Sequence, residues 1–158
     1  MKVLRLLEEG RTLWFIDESW CPEVDYRRRK WRSRGDSNAV NGRLLSYRVS
    51  MIVAVSTDGG SYMSLQMGNT NQDVFMLFLA QLAQRLREED PDFRSKVVLV
   101  VDGCAFHKGQ AVRNFVRDNQ LPYLLMGPYG YASSVCELYW AALKSTNLNM
   151  ENEGIDKK

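Results

Sequence analysis

Three carboxylates stand where a metal-dependent reaction can use them. Asp17 ends the run RTLWFID (Arg11 to Asp17). Asp102 follows five consecutive aliphatic residues, Val97 to Val101. Glu137 comes after a gap of 34 residues, within SSVCELYWAALKS. The two apolar runs read as strands, and in α/β sheets functional groups gather at the carboxyl ends of strands. Two aspartates at the ends of neighbouring strands approach each other, and a glutamate from a crossing helix can join them. Such carboxylates repel, and one is driven toward its protonated form unless a cation lies between them. Hard oxygen donors suit Mg²⁺ or Mn²⁺, not zinc. Two such ions about 3.5–4 Å apart activate an attacking oxygen and stabilise a leaving one in phosphodiester chemistry. Plainer readings stand beside this one. Either aspartate can be the polar residue that ends a strand. Ser134-Val135-Cys136-Glu137 also matches the S-x-x-E capping box, in which the glutamate serves only its own helix.

The remaining reactive side chains are few. With one histidine, His107, the chain has no H-E-x-x-H and no zinc-finger spacing. Cys21, Cys104 and Cys136 lie within four residues of the three acids. Their spacings match no zinc motif, so they read as small buried apolar residues. An odd number of cysteines without a close pair points to a reducing, intracellular compartment. Glu18 points to the opposite strand face from Asp17 and reads as structural or as a weak acid supporting the site from behind the ligands. Trp14 and Trp140 read as core. The segment YRRRKWRSRG carries Arg27, Arg28, Arg29, Lys30, Arg32 and Arg34, six of the 21 lysines and arginines, with Trp31 among them. Such a run meets phosphate, and the indole can stack on an unpaired base; the alternative is a solvated charged loop.

The elements that must position these residues follow from composition and periodicity. The 158 residues fit one domain, and 45% hydrophobic residues support a real core. The net charge of +2 is near neutral, so the basic run is a local patch. No apolar run is long enough to span a membrane, and the N-terminus lacks the features of a signal peptide. LLSYRVSMIVAVST (Leu44 to Thr57) reads as a long strand. Asp58-Gly59-Gly60 turns it into a hairpin with SYMSLQM. Thr70 or Asn69 is placed to cap a helix from about Asn71 to Glu89, with Val74, Phe75, Phe78, Leu79 and Leu82 on one face. VVLVV is a strand buried on both faces. A helix over about Lys108 to Asn119, a short strand LPYLLM and a helix to about Leu148 complete the order. The expectation is an α/β fold, a mixed sheet flanked by helices. Residues 1–10 read as an N-terminal extension and 149–158 as a polar tail.

Three segments together resemble the catalytic domain of mariner-like DDE transposases and their bacterial insertion-sequence relatives. They are WFIDESW (Trp14 to Trp20), VVDGCAFH (Val100 to His107) and PYGYASSVCELYWAALK (Pro128 to Lys144). The family pattern places one Asp in F-[IV]-D-E-[ST], a second in V-[VL]-D-N-A-x-x-H, and the Glu ahead of x-x-W-x-x-[LF]-K. The gap between Asp102 and Glu137 is typical of the family. The resemblance implies an RNase H-like five-stranded mixed sheet over residues 11–148. It implies Asp17, Asp102 and Glu137 as catalytic ligands of two Mg²⁺ or Mn²⁺ ions, with Asp17 bridging both. It also implies cleavage and strand transfer on double-stranded DNA at transposon ends, insertion at TA, and a homodimer in a synaptic complex. A separate DNA-binding domain or partner would read the ends. The basic run, His107 and Lys144 are the candidate DNA contacts; for His107 the alternative is a helix-start residue that bonds nearby backbone. A eukaryotic member would act in the nucleus, a bacterial one in the cytoplasm or nucleoid. Two departures stand out. Gly103 replaces the family's Asn, and Tyr131 to Cys136 lose the prolines before the Glu, with Ser134 able to take over the helix cap. The alternatives are a catalytically inactive DNA-binding or assembly module that retains the fold, and an RNase H-type nuclease.

Overall fold

The computed structural model describes residues 2–22, 34–35, 48–127 and 134–145. The basic run up to Arg32 lies outside them. The chain forms β1 (Thr12–Pro22), β2 (Arg48–Ser56), β3 (Ser61–Met67), β4 (Val97–Val101) and β5 (Tyr123–Leu125). They make one sheet in the order β3-β2-β1-β4-β5. The β1–β2 and β2–β3 pairs are antiparallel. The β1–β4 and β4–β5 pairs are parallel. This is the mixed five-stranded sheet expected.

Helices cover both faces because every central strand has two apolar sides. Trp14 and Ile16 of β1 and Leu99 and Val101 of β4 point one way. They pack against Phe75, Phe78, Leu79 and Leu82 of α2 (Gln72–Glu89) and Val112 of α4 (Gln110–Asp118). Leu13, Phe15, Val98 and Val100 point the other way, onto Cys136 and Trp140 of α5 (Val135–Ser145). All five residues of β4 are buried, as its unbroken aliphatic run requires. The Asp58-Gly59-Gly60 turn joins β2 to β3. Gly59 adopts a φ of 94°, and a Cβ on Gly60 would come within 2.9 Å of Ser56 Oγ. Gly59 is thus favoured by backbone conformation and Gly60 by lack of space beside Ser56 and Trp14.

Several local expectations need correction. The cap of α2 is Asn71, not Thr70 or Asn69. Its side chain accepts from the N–H groups of Asp73 and Val74, both at 3.0 Å. Residues 2–8 form a helix, α1 (Lys2–Glu8), whose Val3 and Leu6 pack against the Leu13–Phe15 face. Seven residues are too few for a stable isolated helix, so the sheet supplies the stabilisation and local periodicity does not reveal it. A single turn, α3 (Phe93–Lys96), buries Phe93 just before β4. Among the described residues no helix is long and apolar enough to cross a membrane.

The covering role of α2 has a measurable consequence. Leu82→Ala, at a fully buried position, should cost about 2–5 kcal/mol. Leu77→Ala, on the exposed face of the same helix, should stay within about 0.5 kcal/mol of the parent. Urea midpoints at unchanged m-value test the contrast.

Candidate active site

The site is built where two paired strands part. The last parallel partners of β1 and β4 are Ile16 and Val101. Asp17 and Asp102 are the next residue on each strand, so the register sets them side by side. Asp17 does not end its strand, contrary to expectation. β1 runs five residues further, with Asp17 opposite Val53 and Glu18 opposite Ile52 of β2. The reason is that β1 has two neighbours: β4 stops at the fork, while β2 continues to satisfy the backbone of β1. A carboxylate is tolerated in mid-strand because the partner on one side has gone.

On one face, α5 holds Asp17. The indole N–H of Trp140 donates to Asp17 Oδ2 at 2.9 Å, and Cys136 Sγ donates to the carbonyl of Phe15 at 3.1 Å. Trp140 is thus a core residue and also a direct partner of the carboxylate, a role its apolar surroundings in sequence concealed. Burial raises the pKa of Asp17, and the nearby charges of Glu18 and Glu137 add to the rise; the Trp140 bond opposes it. Glu137 lies exposed in the first turn of α5. Ser134 caps this helix through its hydroxyl, which accepts from Cys136 N–H at 3.3 Å. Among the described residues the Glu137 carboxylate makes no return bond to Ser134 N–H, so the second half of a capping box is not formed. Burial pushes the Cys136 thiol up to about 12, and it packs as the small buried residue expected.

On the other face, His107 holds Asp102. Its Nδ1 lies 2.7 Å from Asp102 Oδ1, and its Nε2 lies 2.9 Å from Glu18 Oε1. Cys104 N–H donates to the same Asp102 oxygen at 3.0 Å, leaving Oδ2 outside these contacts. The imidazole is fully buried, with ring centroids of Phe75 and Phe106 at 4.3 and 4.5 Å. Tyr123 Oη donates to the His107 carbonyl at 3.1 Å. Burial disfavours the imidazolium, but Glu18 and then Asp102 outweigh it and raise the pKa of His107. Burial acts upward on Asp102 too, yet the Cys104 N–H and His107 hold its pKa below the usual carboxylate value. The expected DNA contact by His107 is therefore corrected: a buried ring with both nitrogens engaged offers nothing to a phosphate. Glu18 does occupy the opposite face from Asp17, and its partner there is this histidine. Arg34 lies exposed in a turn at 34–35. The side chains of Arg27, Arg28, Arg29, Lys30, Trp31, Arg32 and Lys144 lie outside the described residues.

The donor set fits a hard divalent ion in kind. Asp17 and Asp102 are neighbours in register, and Glu137 adds its charge to the same side as Asp17. The ligand oxygens of these three acids do not, however, form a cluster within 4.8 Å among the described residues. Asp17 Oδ2 is drawn to Trp140 and Asp102 Oδ1 to His107, toward opposite faces of the sheet.

The histidine bridge makes stability pH-dependent. A raised folded-state pKa means the contribution is fully present below the unfolded value of about 6.5 and is lost as pH rises through the folded value. In the metal-free protein the His107 ring should titrate with a midpoint above 6.5, followed by ¹⁵N NMR. Glu18→Gln should lower that midpoint and flatten the loss of urea stability as pH rises above about 6.5.

Comparison with known proteins agrees with this architecture. The family model for the DDE superfamily endonuclease matches residues 12–156. No curated protein matches the chain. Among solved structures, a pre-cleavage Mos1 transpososome superposes with a TM-score of 0.68 at 18% identity, over 90% of this chain and 46% of that one. The catalytic domain of Mos1 mariner transposase superposes with a TM-score of 0.64 at 17% identity, over 96% of this chain and 72% of that one. The same domain with Raltegravir and Mn gives 0.62 at 16% identity, over 93% and 68%. The chain thus spans less than half the length of the transposase in the assembled complex. At these identities the likeness establishes the RNase H-like fold. With the family model extending from the first strand through the last helix, the chain belongs to the DDE superfamily endonuclease family.

Proposed function

We propose that this chain is the catalytic core of a mariner-like transposase, cleaving double-stranded DNA at transposon-type ends and joining the freed 3′ end to target DNA. One observation carries the reading: the β1–β4 register sets Asp17 and Asp102 side by side at the fork, within a domain of the DDE endonuclease family. Asp17, Asp102 and Glu137 are the residues that would hold Mg²⁺ or Mn²⁺. When bound, a pair of such ions activates the attacking oxygen and stabilises the leaving one. The chain's own residues position these ligands. Trp140 orients Asp17 through Oδ2, and the Glu18–His107 pair orients Asp102 through Oδ1 and leaves Oδ2 for the ion. Ser134 sets the start of α5 and with it the height of Glu137.

The catalytic unit is assigned to residues 11–148. The run from Arg27 to Arg34, with Lys144, would neutralise phosphates along the duplex, with affinity that falls as salt rises. Phosphate contacts position a protein but do not read sequence, so end recognition needs a separate DNA-binding domain or partner. Structures of Mos1 are described as paired-end complexes. That likeness supports a working form on two paired transposon ends; a homodimer and TA as target are what the family resemblance implies.

At Gly103, where the family carries Asn, an added Cβ would lie 3.6 Å from the Met126 carbonyl, an ordinary contact, so the backbone there does not itself demand glycine.

Incubation with Mn²⁺ or Mg²⁺ and labelled duplex bearing candidate terminal repeats, beside an RNA–DNA hybrid, tests the proposal. Metal-dependent nicking or joining of the duplex is expected, and Asp102→Asn should reduce it to background. Cleavage of the hybrid alone would assign the chain to the RNase H-type nucleases, and DNA binding without cleavage to a scaffold. Trp140→Phe keeps the packing but removes the bond to Asp17. It should lower metal-dependent cleavage about 10–100-fold, the usual cost of losing an outer-shell partner.

A further inference from the structure

The turn after β4 gathers three unlike metal-binding side chains. Ligand atoms of Asp102, Cys104 and His107 all lie within 4.8 Å of one another. Their proximity follows from the chain path. Cys104 N–H bonds Asp102 Oδ1, which curls the backbone tightly, and the turn at 105–108 carries His107 back toward the strand end. The imidazole cannot swing away, because Phe75 and Phe106 enclose it and Tyr123 Oη ties its backbone.

The geometry points to a second kind of metal site in this turn, a Cys–His–Asp site for a thiophilic divalent ion of the zinc class, bound by Cys104 Sγ, His107 Nδ1 and Asp102. Two observations carry it independently. The first is the mixed donor set: a thiol and an imidazole select a softer ion than the all-oxygen set of Asp17, Asp102 and Glu137. The second is Glu18, whose Oε1 lies 2.9 Å from His107 Nε2. A carboxylate on the far nitrogen, with the near nitrogen aimed at the other ligands, is how metal-binding histidines are held in the correct tautomer.

Binding requires Cys104 as thiolate and a free lone pair on His107 Nδ1, so the thiol proton and any Nδ1 proton are released to solvent, while the proton on Nε2 is held by Glu18. A tetrahedral ion with bonds of about 2.0–2.3 Å needs its ligands about 3.5 Å apart. The half-exposed side chains of Asp102 and Cys104 can close the remaining gap by rotation. The fourth position is left to water, as in zinc sites with three protein ligands. Asp102 is common to this site and to the proposed Mg²⁺ or Mn²⁺ site, so the two ions compete for that carboxylate; the thiolate of Cys104 reports the turn site alone, whatever the outcome of the cleavage assay.

Co²⁺ titration of the reduced full chain tests it, followed by the thiolate-to-cobalt charge-transfer band and the visible bands of a tetrahedral ion. The thiolate band should saturate at one equivalent of thiolate-bound Co²⁺ and be lost on addition of Zn²⁺. Cys104→Ser should abolish the charge-transfer band, while Cys21→Ser and Cys136→Ala should keep it. Glu18→Gln should weaken Co²⁺ affinity about 10–100-fold. The absence of a thiolate band, or a band that survives Cys104→Ser, overturns the proposal. Should Cys104→Ser fail to fold by circular dichroism, the parent chain still decides. Zn²⁺ should slow alkylation of Cys104, mapped by peptide analysis, and an unchanged rate overturns the site.

Discussion

Everything at the site depends on one stop in one ladder. The parallel pairing of β1 with β4 ends at Ile16 and Val101, and the next residue on each strand is an aspartate. Had the pairing continued, two carboxylates would have faced each other in a closed sheet, with no room for a ligand and no solvent to screen them. Had it ended earlier, the acids would have drifted with their loops. β1 keeps its antiparallel partner β2 past the fork, so Asp17 stays on rigid backbone while its other side opens. An α/β fold places reactive groups at strand ends for this reason: the sheet supplies the precision and the missing neighbour supplies the space.

The two faces of the sheet then hold the two acids differently. Asp17 is fixed from the α5 side by an indole N–H, a donor that cannot neutralise charge. Asp102 is fixed from the α2–α4 side by an imidazole shared with Glu18, which can. Their protonation responds in opposite senses. Burial and neighbouring carboxylates push Asp17 upward, while Cys104 N–H and His107 hold Asp102 down against its own burial. Each arrangement satisfies a partly buried polar group that would otherwise carry a desolvation cost. The same anchors pull the carboxylates toward opposite faces, so closing them on a cation requires each to share its oxygens between an anchor and an ion. Outer-shell partners of that kind govern metal affinity as much as the ligands do.

Much of this was legible in advance because it is local. VVLVV declared a doubly buried strand, Asp58-Gly59-Gly60 declared a hairpin, and the apolar face from Val74 to Leu82 declared α2. Spacing around the three acids carried a family resemblance that the family model bears out. Less local facts were not legible. The continuation of β1 past Asp17 depends on a partner more than thirty residues away, Val53. The α1 helix exists through contact with the sheet. His107 stayed open between a DNA contact and a helix-start residue bonded to nearby backbone, because its sequence neighbours, Phe106 and Lys108, do not show that Phe75 closes over it.

The sequence by itself determined the periodicities, the turn chemistry, and the presence of two aspartates after apolar runs with a glutamate beyond them. These depend on residues close along the chain, whose side-chain types dictate local backbone choices. Only the tertiary structure decided which atoms those acids meet. The Trp140 bond to Asp17 spans 123 positions and the His107 bond to Glu18 spans 89. Contacts of that range follow from strand register and helix docking, which one-dimensional spacing does not contain.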